Sequence, residues 1–357
     1  MAGLCAAARV RELGADVLVL EKGTRPGGSM LLSSCVVWRY RDFDDFRAEC
    51  PGGEPALQRL VWERLDDALA WLESLGAPVV ERGTGNPRTA GLRFGARGLT
   101  ETLARAAGDV RLERPLREDD EAPVMLATGG FQGARELVRR FVQPGGELLL
   151  RANPWSAGDG MAYGVDRGAG LSTGLDEFYG RALPAPPARI TEDRFVSLAQ
   201  VYGRYALVLD EAGEEFAPDP VSWSEVDLVQ AIARRPEARA WYVVDEPTLR
   251  LRVRDRTVAE VIESAREAGG TVVLPADLPF ELPDSYRYAV HVQAAITHTI
   301  GGLRVDERAR VLDASGSPID GLFAAGADVG GISTGGYASG LAAALVLGLV
   351  AAEEAAT

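Results

Sequence analysis

The apolar residues of this chain change their period several times, and each change marks an element. Ala2 to Leu13 repeats alanine and leucine, with Arg9, Arg11 and Glu12 on a polar side. That pattern predicts a helix ended by Gly14. Asp16-Val17-Leu18-Val19-Leu20 then runs almost continuously apolar, as a buried parallel strand does, and closes on Glu21. Leu57, Leu60, Val61, Leu65, Leu69 and Leu72 recur at helical spacing, predicting an amphipathic helix over 56–75 stopped by Gly76-Ala77-Pro78. A second helix is expected over 99–107. Residues 123–130 read as an apolar strand running into Gly129-Gly130.

From about 151 to 290 the style changes to mixed strands, aromatics and prolines, with a helix near 224–234. After about 294 the glycine-rich style returns. Ala309–Asp313 reads as part of a hairpin, Phe323-Ala324-Ala325-Gly326 as a strand ending at glycine, and a helix is expected from about Ser339. Both ends would thus build one domain, residues 1–150 plus 291–357, around an inserted α+β domain, residues 151–290. The chain's 357 residues suffice for two such cores.

Helix, glycine, buried strand and terminal acid form the second half of a dinucleotide-binding βαβ unit. The strand that should precede the helix is missing. Gly3 could supply only the last glycine of a Gly-x-Gly-x-x-Gly turn, so the chain is expected to start one strand too late.

Composition narrows the chemistry. The formal net charge of −14 argues against a nucleic-acid backbone as partner. Three scattered cysteines and two histidines give no disulfide framework and no metal motif. A reducing, cytoplasmic compartment is the simple expectation. Leu341 to Ala352 is apolar but shorter than the ~20 residues a span needs, so a buried helix is expected and no membrane span.

Three stretches carry candidate chemistry. In the first, Glu21 is placed to bind ribose hydroxyls, and Lys22, Gly27, Gly28 and Ser29 follow it. The glycine pair lets backbone amides approach a phosphate or ring. In the second, Thr128-Gly129-Gly130 ends a strand beside the expected crevice. The third begins His298-Thr299-Ile300-Gly301-Gly302 and passes through Gly326 and Asp328 to Gly335-Gly336-Tyr337 and Gly340-Leu341. There a strand-end acid can bind a polyol, and a helix N-terminus offers N–H groups to developing negative charge.

The paired ends resemble the flavoproteins of the fumarate reductase, succinate dehydrogenase and 3-ketosteroid dehydrogenase family. The similarity covers residues 1–50, 123–131 and 294–352; Gly158-Asp159-Gly160-Met161 resembles the family's Gly-Asp-Gly segment. The resemblance implies an α/β fold, with a Rossmann-like FAD-binding domain and an inserted cap. It implies FAD contacts from Gly3, Glu21, Lys22, Gly27, Gly28, Ser29, Thr128, Gly129, Gly130, Asp159, Gly326, Asp328, Gly340 and Leu341. The FAD would be non-covalent, since no histidine stands near Ser33-Ser34-Cys35, where covalently flavinylated members carry one.

The departures concern substrate. Tyr337 stands where fumarate reductases have an arginine, and Gly213-Glu214-Glu215-Phe216 has acid where their cap motif has arginine. Losing two cations disfavours a dicarboxylate, whose unpaired charge is expensive in a closed site. Tyr337 becomes the first catalytic candidate and His298 the second, with an equal claim for Tyr337 as a packing aromatic. Tyr179, Tyr202, Arg204 and Tyr205 are read more readily as ordinary packing than as pocket lining. The expected activity is dehydrogenation or reduction of a C–C bond next to a carbonyl, on a ketone, possibly steroid-like, ahead of a dicarboxylate. The partners would be that small molecule and an unidentified electron donor or acceptor. The rival expectation is a truncated remnant that binds no FAD.

Overall fold

The computed structural model describes residues 1–117, 123–142 and 147–357. The chain divides into two compact units. The first comprises Met1–Leu137, Ala152–Phe178 and His298–Thr357; the second comprises Val138–Arg151 and Tyr179–Thr297.

In the first unit, helix α1 (Ala2–Glu12) keeps its arginines in the last turn and ends at Leu13. Gly14, at φ +87°, donates to Arg11, and Ala15 donates to Val10, which satisfies the final carbonyls. Strand β1 (Val19–Leu20) is shorter than the apolar run predicts, because its parallel partner pairs with only two residues. The turn Gly28–Leu32 leads to β2 (Val36–Tyr40). Next come α2 (Phe43–Glu49) and α3 (Pro55–Ser74), with proline at the start of α3 and Leu57, Val61, Leu65, Leu69 and Leu72 buried.

Strands β3 (Val79–Arg82) and β4 (Thr89–Phe94) join β2 in an antiparallel sheet of order β2-β4-β3. Helix α4 (Ala96–Ala107) starts three residues before the predicted 99. Strand β5 (Val110–Arg111) pairs with β1. Strand β6 (Val124–Leu126) is followed by the short helix α5 (Asp159–Val165), β7 (Arg310–Leu312) and β8 (Pro318–Ala324). β8 runs parallel to β6 and antiparallel to β7. Parallel strand pairing in this unit thus falls into two separate sheets, β1-β5 and β7-β8-β6.

Helix α6 (Gly340–Ala355) is buried from Ala342 to Ala352 and packs against α1 and α3. A helix apolar all round must be enclosed, which explains the sequence of its interior. Gly348 permits the close crossing with α1, since a Cβ there would lie 2.8 Å from the Ala2 carbonyl oxygen. Among the described residues no helix is long and apolar enough to cross a membrane, and no cluster could hold a metal ion.

The second unit is built on the 14-residue strand Tyr286–Thr299, whose last two residues lie in the first unit. It pairs antiparallel with Arg239–Asp245 and with Val272–Val273, and parallel with Leu149–Leu150. Helix Val226–Ala233 matches the predicted 224–234, and Val258–Glu267 opens with a reciprocal Thr257–Glu260 cap. The segment Gly213-Glu214-Glu215-Phe216 follows a turn in which Gly213 donates to the Asp210 carbonyl.

Candidate functional site

The end of β1 gathers the first group of predicted residues. Glu21 Oε1 accepts from the Gly23 amide at 2.7 Å, which folds the chain back after the strand. Lys22 Nζ lies 2.7 Å from Asp159 Oδ2, so the acid opening α5 pairs with the lysine that follows the strand-end acid. A Cβ on Gly23 would fall 2.5 Å from the Trp155 ring, which requires glycine there. Gly27 (φ +105°) and Gly28 (φ +51°) turn the backbone into the 28–32 segment. Ser29 Oγ accepts from the Asn153 amide at 3.1 Å and ties that segment to the residues before α5.

The second and third stretches meet through Asp328. Its carboxylate accepts from the amides of Thr128, Gly129 (3.3 Å) and Gly130 (3.1 Å) and from Thr128 Oγ1 (2.9 Å). Burial raises its pKa above the ordinary carboxylate value, against the pull of these donors. Gly129 and Gly130 take φ of +95° and +82°, which aims successive amides at one acid. Gly326, at φ +73°, turns β8 toward Asp328. Asp328 therefore staples the ends of β6 and β8 together.

The third group surrounds the start of α6. Ser339 caps it, accepting from the Ala342 amide at 3.3 Å and from the Trp38 amide at 3.4 Å. Gly340 opens the helix against the His298 ring, whose Cε1 would lie 3.1 Å from a Cβ at that position. Protein atoms enclose most of His298, and burial lowers its pKa to about 4. The imidazole is therefore neutral near pH 7. Leu341 follows Gly340 and is half-buried.

Tyr337 is half-buried, with its ring centroid 5.4 Å from Trp38. Trp38 in turn lies 5.3 Å from Tyr40, edge to face, and the Tyr40 hydroxyl donates to the Tyr337 carbonyl at 2.7 Å. The close β2–β4 pairing behind this platform needs Gly91, since a Cβ there would meet the Trp38 backbone at 2.6 Å. Trp38 and Tyr40 follow Ser33-Ser34-Cys35 in sequence, yet only the folded structure shows them beside Tyr337.

In the second unit, Tyr202 is fully buried, Tyr205 is 44% exposed and the Arg204 guanidinium lies 5.2 Å over the Tyr205 ring. The Tyr179 ring has the Arg181 guanidinium 5.1 Å above it.

Helix α1 has no side-chain cap at its N-terminus and no acid in its first turn, so its first amides suit an anion. Gly3 lies in that turn, with 3.3 Å between a Cβ on it and the Ala127 Cβ. A strand-end acid, positive-φ glycines and two helix N-termini make a donor set that fits a dinucleotide carrying a planar ring. The family described as FAD binding domain matches residues 1–116 and 105–341.

The chain belongs to this FAD binding domain family.

The flavoprotein is 24% identical to the probable fumarate reductase Ifc3 of Shewanella frigidimarina (strain NCIMB 400), an alignment spanning 99% of this chain and 73% of that protein. Its fold is similar to the open conformation of a flavocytochrome c3 fumarate reductase, with TM-score 0.71 and 22% identity over 99% of this chain and 76% of that one. It is also similar to 3-ketosteroid-delta4-(5alpha)-dehydrogenase from Rhodococcus jostii RHA1, with TM-score 0.69 and 19% identity over 100% and 95% of the two chains. FAD is the cofactor of this family, and the chain is an FAD-dependent oxidoreductase by its kinship. The resemblance drawn from the paired chain ends is borne out.

Proposed function

We propose that the flavoprotein reduces or dehydrogenates a C–C bond next to a carbonyl in a neutral ketone, steroid-like in shape. The observation that carries this reading is the half-buried Tyr337 ring before α6, backed by the buried Trp38 and Tyr40 rings. An aromatic face favours a flat apolar substrate. The chain around Tyr337 points the same way. Its turn is held by Glu177, and the Glu49 carbonyl occupies the place of a side chain at Gly336. No arginine stands between Asp328 and Leu341 in the sequence. A dicarboxylate would therefore find no arginine on this stretch to neutralise it.

Glu21, Lys22, Asp159 and the amides of Gly27, Gly28 and Ser29 would hold the nucleotide portion. The first turn of α1, with Gly3, would take the pyrophosphate. Thr128, Gly129, Gly130, Gly326 and Asp328 would border the ribityl chain. Gly340 and Leu341 would face the ring. When bound, the flavin supplies hydride exchange at its N5. The Tyr337 hydroxyl would donate to the substrate carbonyl, and neutral His298 would hydrogen-bond the substrate or pass a proton.

A second reading, dicarboxylate reduction, rests on the similarity to a probable fumarate reductase. One experiment separates the two. Photoreduced protein is mixed anaerobically with 4-androstene-3,17-dione, 2-cyclohexen-1-one or fumarate, and flavin reoxidation is followed. Reoxidation by an enone alone supports the ketone reading; reoxidation by fumarate alone overturns it. Tyr337→Phe is expected to slow the enone reaction about 100-fold with flavin content unchanged. An unchanged rate would remove the tyrosine from the chemistry.

A further inference from the structure

The short segment 174–177 lies between the two stretches that carry His298 and Tyr337. Glu177 Oε2 accepts from the Gly335 amide at 2.7 Å. The main-chain carbonyl of the same residue accepts from the Ile300 amide at 3.2 Å. One residue thus bonds to the turn two positions before Tyr337 and to the strand end two positions after His298.

The surrounding packing leaves this segment little freedom. Glu177 donates its own amide to the Gly174 carbonyl at 3.1 Å, which closes the turn. Gly174, at φ +78°, faces Thr334 and Ile300, and a Cβ there would lie 3.0 Å from Thr334 Oγ1 and 3.3 Å from Ile300 Cγ2. Gly301 leaves room for the Leu175 main chain, since a Cβ on it would fall 2.4 Å from the Leu175 nitrogen. The segment is a wedge seated between both stretches.

The Tyr337 side needs such a constraint. Gly335 takes φ +87° and Gly336 follows it, so the intrinsic backbone of this turn is loose. The amide of Gly335 is held by the Glu177 carboxyl, and that bond fixes the direction in which the chain enters Tyr337. Placement errors of about 1 Å in a reacting group cost about 100-fold in rate.

We propose that Glu177 is a positioning residue, whose side chain and carbonyl together set Tyr337 relative to His298. The proposal rests on the reading that these two residues act on substrate. It predicts a graded response to substitution, because glutamine keeps an oxygen acceptor where alanine has none.

The test uses FAD-loaded protein as wild type, Glu177→Gln and Glu177→Ala. Amide hydrogen exchange is measured by mass spectrometry on peptides covering 332–339 and 298–303. The limiting rate and half-saturating concentration of flavin reoxidation by 2-cyclohexen-1-one are measured on the same samples. In Glu177→Ala, exchange in 332–339 should rise about tenfold or more, as expected on losing a bond to a carboxyl group. The limiting rate should fall about tenfold or more, with half-saturation moving less than about threefold and flavin content constant. Glu177→Gln should recover both to within about threefold of wild type. Unchanged exchange in Glu177→Ala, faster exchange with an unchanged rate, or a glutamine variant no better than alanine would each overturn the proposal. A wild type inert to the enone would instead overturn the catalytic reading beneath it. The exchange measurement needs no substrate and so tells the two failures apart.

Discussion

The two units each bury a carboxylate, and they support it differently. In the first, Asp328 is 1% exposed and receives three backbone amides and one hydroxyl from a single strand end. In the second, Glu225 is 4% exposed and accepts from one backbone amide, that of Arg204, at 3.1 Å. Burial raises the pKa of both acids. Around Glu225 the opposing influence comes first from that Arg204 amide and then from the charges of Arg181, Arg254 and Arg204. Tyr202 and Tyr242 have buried hydroxyls with no hydrogen-bond partner among the described residues.

The difference follows from composition. Glycine pairs let the backbone converge on an anion, and backbone donors cost no side-chain entropy to order. The first unit thus holds Asp328 with three main-chain amides and the Thr128 hydroxyl, while the second sets three arginines around an acid that accepts from one amide.

The largest effect should come from breaking the backbone staple. Asp328→Ala leaves the amides of Thr128, Gly129 and Gly130 without their acceptor in a buried site. A loss of about 3–5 kcal/mol is expected in urea unfolding, together with weaker FAD retention. A loss below about 1 kcal/mol would show that β6 and β8 are held together by packing instead.

His298 gives the next effect, and its sign is fixed by burial. Its pKa falls from 6.5 in the unfolded chain to about 4 in the fold. Between these values the unfolded chain binds more protons, so stability falls as pH drops from about 6.5 toward 4 and levels off below. The full effect amounts to about 3 kcal/mol. Subtracting the pH profile of unfolding for His298→Gln from that of wild type should isolate it. Parallel profiles would mean that the imidazole protonates freely in the folded protein.

The smallest effect sharpens the comparison from the other side. The raised pKa of Glu225 means that the fold prefers its protonated form, so its contribution is full below about 4.5 and is lost as pH rises through the folded value. Glu225→Gln keeps the acceptor for the Arg204 amide without the charge. It should flatten the decline in stability above pH 4.5 while leaving flavin content unchanged. A variant that becomes less stable at pH 7 would show that the arginines make the charge favourable.

How far the sequence could be read depended on the range of each signal. The helix over 55–74 was legible from its local periodicity, and that over 340–355 from a continuous apolar run behind the Ser339 cap. Strand β1 was overestimated from Asp16–Leu20, since an apolar run shows burial and not how far a partner extends. Glu177 carried no signal at all; its two partners lie more than a hundred residues away.

The glycine pairs, the acid after β1 and the tyrosine before α6 were determined by the sequence itself, because each states a local backbone or chemical requirement. The family followed from their order along the chain. Only the tertiary structure decided that Asp328 faces three amides, that Trp38 lies beside Tyr337, and that Glu177 joins the turn before Tyr337 to the strand end after His298. Those contacts close long loops, and loop closure is settled by the packing of the whole fold, which no local pattern encodes.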